Sequence, residues 1–216
     1  MNDQTLEYYH RRADEYDKIY YRDHLRRQQE LAELYTLSAQ VLSGRDILDL
    51  ACGTGFWTRA VSGLTRSITA VDINAAMLKV ASAKKYACPV NWVESNVFNL
   101  PFEEQRFDGI LATFLVSHIK RQDLDRLGQI IRDKLRPGSS IFLADNNLIC
   151  ELQPDLVIGA DKINTYKVRL LENGQKYLIL KNYFEKKEVE KIFSSWGRLE
   201  NLYYKEYYWA MVLKTD

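Results

Sequence analysis

The sequence is sparing with the residues that staple or stiffen a chain: it has three cysteines and four prolines among 216 residues. Cys52, Cys88 and Cys150 are odd in number, far apart and without a CxxC pair, which argues against a disulfide framework or a zinc cluster. No metal site is expected. Neither sign of charge is in excess: formal net charge is +1, and no bulk field draws such a chain to nucleic acid or an anionic membrane. Even the crowded stretch 22–30 mixes both signs and reads as a solvated helix face. Long apolar runs are missing too. Nothing approaches the roughly 20 residues of a membrane span, and the polar N-terminus has no signal-peptide core. A cytoplasmic protein is expected, as a monomer or homodimer. The length suits one α/β domain with a sizeable core.

Aromatic residues are plentiful. Nine of the fourteen tyrosines, with Trp209 of the four tryptophans, concentrate near the two ends, around residues 8–21 and 203–209. Core packing explains many such residues. Their placement also suits an aromatic-lined pocket built from an N-terminal helix and a late strand.

Periodicity divides the chain. Helical patterning runs over residues 5–42 with a break near Tyr20. Apolar strands over 46–50, 67–71, 90–94, 107–112 and 140–144 then alternate with helices over 57–63, 75–85 and 123–135, and a turn is expected at Arg136-Pro137-Gly138. Strands alternating with helices imply parallel pairing through crossover units, and such sheets bind ligands beyond the carboxyl ends of their strands. After Ala144 the rhythm changes. Strands over 167–171 and 176–183 flank Glu172-Asn173-Gly174, where Asn-Gly signals a hairpin. A helix over 186–194 and a last strand over 203–213 close the chain, with an antiparallel edge.

Chemistry concentrates at Asp49-Leu50-Ala51-Cys52-Gly53-Thr54-Gly55, where the first strand turns into a helix. Glycine permits positive φ and close approach of backbone to ligand, and a helix start offers free amides. Such a loop serves a dinucleotide or S-adenosylmethionine (SAM). A dinucleotide fingerprint wants a third glycine where Thr58 stands. A carboxylate at Asp49 would repel a pyrophosphate but suits an ammonium or sulfonium. Asp72, 23 residues on at the end of the second strand, can accept from both ribose hydroxyls or simply cap the next helix.

Asp49 to Gly55, Val71-Asp72-Ile73, Leu100-Pro101-Phe102, Phe107-Asp108 and Leu135-Arg136-Pro137-Gly138 resemble the ordered motifs of class I SAM-dependent methyltransferases, over nearly the whole chain. The resemblance implies a Rossmann-like seven-stranded sheet with the last strand antiparallel. It implies that Asp49, Ala51, Gly53 and Gly55 hold the methionine part of SAM and Asp72 the ribose, with Ile73 and Met77 beside it. The family's usual adenine-binding Asp is replaced by Asn96, which keeps an acceptor oxygen, and the Val97 amide is the matching donor. Thr113 and Phe114 would lie under the methionine chain.

Tyr8, Tyr9, Arg12, Ala13, Glu15, Tyr16 and Asp17 resemble an N-terminal pattern that class members use as a lid, here expected over residues 1–42. The resemblance brings Tyr16 and Arg27 to the SAM carboxylate, a contact that an arginine fork suits; amphipathic packing is the plainer alternative. His118, just past the fourth strand, is the candidate base, since a neutral imidazole can take a proton from a hydroxyl or amine; it could equally be bonded to backbone in a helical turn. The hairpin resembles the cap of small-molecule O-methyltransferases, including one acting on phosphonates, and the cap is expected over residues 145–183. There Lys181, with Arg169, would face an anionic substrate that Tyr9 also touches.

The function expected is methyl transfer from SAM to a small-molecule acceptor, through an oxygen nucleophile, with N- or C-methylation and non-catalytic SAM binding as alternatives. A nucleic-acid methyltransferase would need a basic face or an added module, and neither is evident.

Overall fold

The computed structural model describes residues 3–21, 24–149, 156–171 and 173–216. Arg22, Cys150 and Glu172 lie outside the described residues, so the readings that involve them stop at the sequence. Strands β1 (Asp46–Leu50), β2 (Ser67–Asp72), β3 (Val90–Glu94), β4 (Phe107–Thr113), β5 (Leu135–Asn146), β9 (Arg198–Tyr204) and β10 (Tyr208–Lys214) form one sheet in the order β3-β2-β1-β4-β5-β10-β9. All neighbours from β3 to β5 pair in parallel. β10 runs antiparallel to both β5 and β9. The expected seven-stranded sheet with an antiparallel last strand is present.

Strand residues alternate between two cores, as the pleat requires. Leu48, Leu50, Ile141, Leu143, Trp209 and Met211 meet α5 (Leu124–Lys134) and α6 (Lys186–Phe193) on one face. Ile47, Phe142, Ala144, Ala210 and Val212 meet α2 (Leu25–Val41) and α3 (Phe56–Val61) on the other. Asp49 shares the second face with Ile47 and so points a carboxylate into a core otherwise made of hydrocarbon. α4 (Ala75–Ser82) follows β2, its first turn capped by Asn74.

Three boundaries differ from the sequence expectation. The expected single strand over 203–213 is a hairpin of β9 and β10, turning at residues 205–207. That stretch, Lys-Glu-Tyr, carries no glycine, asparagine or proline. Its turn is held from outside by the buried Glu30 of α2, whose carboxylate accepts from the amides of Tyr207 (2.9 Å) and Glu206 (3.3 Å). Next, the expected turn at Arg136-Pro137-Gly138 is absorbed into β5, which starts at Leu135 and passes Gly138 at φ 72°. Lastly, the first helix ends early. α1 (Asp3–Arg12) gives way to a 3-10 segment, Ala13–Tyr21, before α2 begins.

A second sheet of β6 (Leu156–Ile158), β7 (Thr165–Leu170) and β8 (Lys176–Leu180) is antiparallel throughout and contains the expected hairpin. α1 packs on β8, where Gln4 Oε1 accepts from the Leu178 amide at 2.9 Å. Residues 3–21 and the small sheet thereby stand over the carboxyl ends of β1, β2, β4 and β5. Among the described residues, no helix is long and apolar enough to cross a membrane.

Candidate active site

Two compartments open at that end of the sheet. The first is bounded by the β1 loop (Ala51, Cys52, Gly53), the end of β2 (Asp72, Ile73) and Met77 of α4. Asn96, Val97 and Phe98 line it from the β3 side, and Thr113 and Phe114 from the end of β4. Tyr16, Tyr20 and Leu6 cover it from the N-terminal segment.

The β1 loop turns through left-handed backbone at Ala51 (φ 55°) and Gly53 (φ 56°). A Cβ on Gly53 would meet nothing within 4 Å, so this residue presents bare backbone to the crevice. Gly55 works differently. It turns through left-handed backbone at φ 75°, and a Cβ there would stand 2.2 Å from the Tyr86 hydroxyl, so conformation and packing both call for glycine. Asp72 locks the loop: its Oδ2 accepts from the Gly53 amide at 2.9 Å and its Oδ1 from the Asn74 amide at 2.8 Å. Burial raises the Asp72 carboxyl, and the bonds from Asn74 and Gly53 work against that rise.

Asp49 lies beneath the loop, 1% exposed. Its Oδ2 accepts from the Thr58 hydroxyl at 2.6 Å, while Oδ1 has no partner among the described residues. Burial pushes its carboxyl up to about 7, opposed by the Thr58 bond and assisted by the Asp72 charge. A buried acceptor left without a donor costs free energy, and a ligand group that donates a hydrogen bond would answer it.

The second compartment is lined by Arg12, Arg27, Lys167, Arg169 and Lys181, with Ile179 and Tyr208. Most of these cations have partners. Arg27 Nε donates to Tyr208 Oη at 2.5 Å and its guanidinium lies over the Tyr208 ring. Arg12 donates to Tyr8 Oη (2.6 Å) and Glu15 Oε1 (3.0 Å). Lys181 Nζ uses all three donors, to Ser117 Oγ (2.6 Å), Asp145 Oδ1 (3.1 Å) and Asn146 Oδ1 (3.1 Å). Arg169 has no carboxylate within 4.0 Å among the described residues.

Tyr9, Tyr16, Tyr20, Phe114 and His118 belong to both walls. His118 ends a short 3-10 turn, Val116–His118, after β4. Its Nδ1 stands 2.7 Å from the Leu180 carbonyl. A carbonyl only accepts, so Nδ1 carries the proton and Nε2 keeps a lone pair. Tyr9 donates its hydroxyl to Nε2 at 3.1 Å. Burial and then the Lys181 charge lower the imidazole to about 3, so it is neutral near pH 7. Burial raises the Tyr9 and Tyr16 phenols, Tyr16 to about 12, so both stay protonated.

The N-terminal segment is latched to the β1 loop. Asp17 accepts from the Thr54 hydroxyl and from Lys84 Nζ (2.5 Å), and Lys84 also donates to the Thr54 carbonyl at 2.7 Å. Asn74 Nδ2 donates to the Leu6 carbonyl at 3.2 Å.

Residues 47–138 match the family model described as a methyltransferase domain. Over 110 residues the chain is 33% identical to the 2-phytyl-1,4-naphtoquinone methyltransferase of Nostoc punctiforme, covering 48% of this chain and 47% of that protein. Over 115 residues it is 34% identical to the ubiquinone/menaquinone biosynthesis C-methyltransferase UbiE of Shewanella pealeana, covering 50% and 45%. The chain thus spans about half the length of the curated relatives it matches. The solved DhpI–SAM–HEP complex shares the fold at a TM-score of 0.77 and 22% identity, covering 97% of this chain and 96% of that one.

The residues singled out from sequence divide as follows. Tyr16, Ala51, Gly53, Asp72, Ile73 and Met77 meet at the first compartment, as do Asn96, Val97 and Thr113. Asn96 is engaged in its own turn, its Oδ1 accepting from the Phe98 amide at 2.9 Å. Arg27 lies in the second compartment with Arg169 and Lys181, and Tyr9 and His118 lie between the two. Sequence reasoning passed over Trp57, Tyr20 and Asn74 in the first compartment and Lys167 in the second. Trp57 and Tyr20 carried a signal, as aromatics beside the glycine loop and in the lid pattern. Lys167 carried none, because its side chain points inward only through the register of the small sheet.

Proposed function

We propose that the chain binds SAM in the first compartment and transfers its methyl group to the oxygen of a small acceptor held in the second. The observation that carries this reading is the contrast between the two compartments. One has the buried carboxylate of Asp72 in its lining and that of Asp49 beneath its glycine loop. The other has a wall of cations. They share an aromatic wall with a neutral histidine in it. The unpartnered Asp49 Oδ1 and the open space over Gly53 fit the amino-acid end of SAM, Asp72 its ribose, and Asn96 with the Val97 amide its adenine. When bound, the cofactor supplies an electrophilic methyl group.

His118 Nε2, with its tautomer set by the Leu180 carbonyl, accepts the acceptor's proton once the acceptor displaces the Tyr9 hydroxyl from it. The surrounding tyrosines and Phe114 exclude water and hold the reacting groups in line, which is the larger part of the task in a displacement of this kind. Arg169 orients an anionic group of the acceptor. Residues 3–21 act as the lid, latched through Asp17, and the small sheet acts as the cap. The kinship with quinone C-methyltransferases supports a carbon acceptor as the second reading.

Calorimetry with SAM and NADH tests the cofactor: binding of NADH and not SAM overturns the proposal. Labelled SAM with a panel of hydroxylated anions and quinols tests the acceptor, and NMR of the product tells oxygen from carbon methylation. Methylation of quinols alone favours the second reading.

A further inference from the structure

The amino-acid end of SAM carries a carboxylate as well as an ammonium. The expected partner for that carboxylate, Arg27, stands in the wall of the other compartment, bonded to Tyr208. Another donor is therefore wanted beside the glycine loop. Trp57, the second residue of α3, lines the first compartment and is 2% exposed. Its ring is held between Tyr35, with centroids 4.4 Å apart, and Phe114, at 5.9 Å. Its Nε1 is buried and has no hydrogen-bond partner among the described residues. A buried indole N–H ordinarily finds an acceptor. Trp196 and Trp209 also lack one, but both belong to the apolar core under α5 and α6 and neither lines this crevice. The next residue, Thr58, is the one that bonds Asp49 Oδ2 and leaves Oδ1 bare. Adjacent residues of one turn thus bear on the two orphans, a donor on Trp57 and an acceptor on Asp49.

We propose that Trp57 Nε1 binds the carboxylate of the cofactor's amino-acid end while Asp49 binds its ammonium, so that the pair recognises an α-amino-acid zwitterion. The proposal rests on the reading of the first compartment as a SAM site. It gives the site a means of separating intact cofactor from nucleosides of the same shape. A ligand with the adenosine and thioether but no amino acid satisfies neither orphan.

The test compares S-adenosylhomocysteine (SAH) with 5′-methylthioadenosine by calorimetry on the full chain and on Trp57→Phe, which keeps an aromatic ring and removes the donor. A hydrogen bond to a charged group is worth a loss of roughly 10- to 100-fold in affinity. SAH should weaken by that factor and methylthioadenosine by less than about twofold. Equal effects on the two ligands, or none on SAH, overturn the proposal. Wild-type protein that binds neither ligand overturns the SAM reading instead. Wild-type NMR gives a second measurement that does not depend on the variant's folding. The Trp57 indole N–H resonance should move with SAH and stay in place with methylthioadenosine, and an indole indifferent to SAH refutes the assignment.

Discussion

On the proposed SAM reading, Asp49 ties cofactor binding to stability, with a sign opposite to that of most carboxylates. Its carboxyl, near 3.8 in the unfolded chain, is pushed up to about 7 by burial in the native protein. Between these values the native state holds a proton that the unfolded state has released, so stability falls as pH rises from about 4 to about 7. From pH 5 to pH 8 the native proton excess integrates to about two pK units, or about 2.5 kcal/mol lost. His118 acts the other way. With its folded value near 3, it is neutral when native and charged when unfolded at pH 5, so it favours the native state more as pH rises to its unfolded value of 6.5. The quantity to measure is therefore a difference between proteins. Urea unfolding of wild type and Asp49→Asn at pH 5 and pH 8 should show the variant spared about 2.5 kcal/mol of loss across that interval. The same carboxylate must be ionised to receive an ammonium, so wild-type affinity for SAH should rise by roughly 100-fold from pH 5 to pH 8, following the ionised fraction. In Asp49→Asn it should be nearly flat. Parallel stability profiles for the two proteins, together with the same pH dependence of SAH affinity, would refute the reasoning.

Asp72→Ala should weaken SAH by roughly 10- to 100-fold, the scale of charge-linked hydrogen bonds, and an unchanged Kd removes Asp72 from the site. Ring-nitrogen NMR should find His118 as the neutral Nδ1–H tautomer from pH 5 to pH 8, and His118→Ala should lower kcat by roughly 10²- to 10⁴-fold with SAH affinity intact; a histidine titrating near 6.5 contradicts this environment. Lys181→Ala strands the buried Asp145 carboxylate and should cost about 3–5 kcal/mol in urea unfolding. Arg169→Ala should leave stability within about 0.5 kcal/mol and raise KM for an anionic acceptor. The reverse pattern would make Lys181 the substrate's cation.

Much of this was legible in the sequence because it is local. The strand, glycine loop and strand-end carboxylate at residues 46–72 are specified by their own residues, and they fold as read. What escaped depends on contacts distant in the chain. The turn at 205–207 exists because Glu30, some 176 residues earlier, supplies its acceptor. Lys181 reads as a cation facing an anionic substrate, yet its three donors go to Ser117, Asp145 and Asn146. Gly55 reads as a ligand-contacting glycine, and the sequence does not show that Tyr86, 31 positions later, packs against it. Periodicity records which face a residue takes and says little of which partner waits there.

The five side chains common to both compartments form a party wall. Tyr9, Tyr16, Tyr20, Phe114 and His118 cannot adjust to a guest on one side without moving the lining of the other. Occupancy of the two rooms is therefore linked, and by reciprocity a tightly held acceptor must alter cofactor affinity by the same factor as the cofactor alters its own. For anyone retailoring the acceptor, this divides the protein in two. On the proposed reading, changes at Arg169 and Ile179 touch the acceptor's compartment alone. Changes in the tyrosines are negotiated with the cofactor as well, and three of the five sit on the one segment, residues 3–21, that lies outside both sheets.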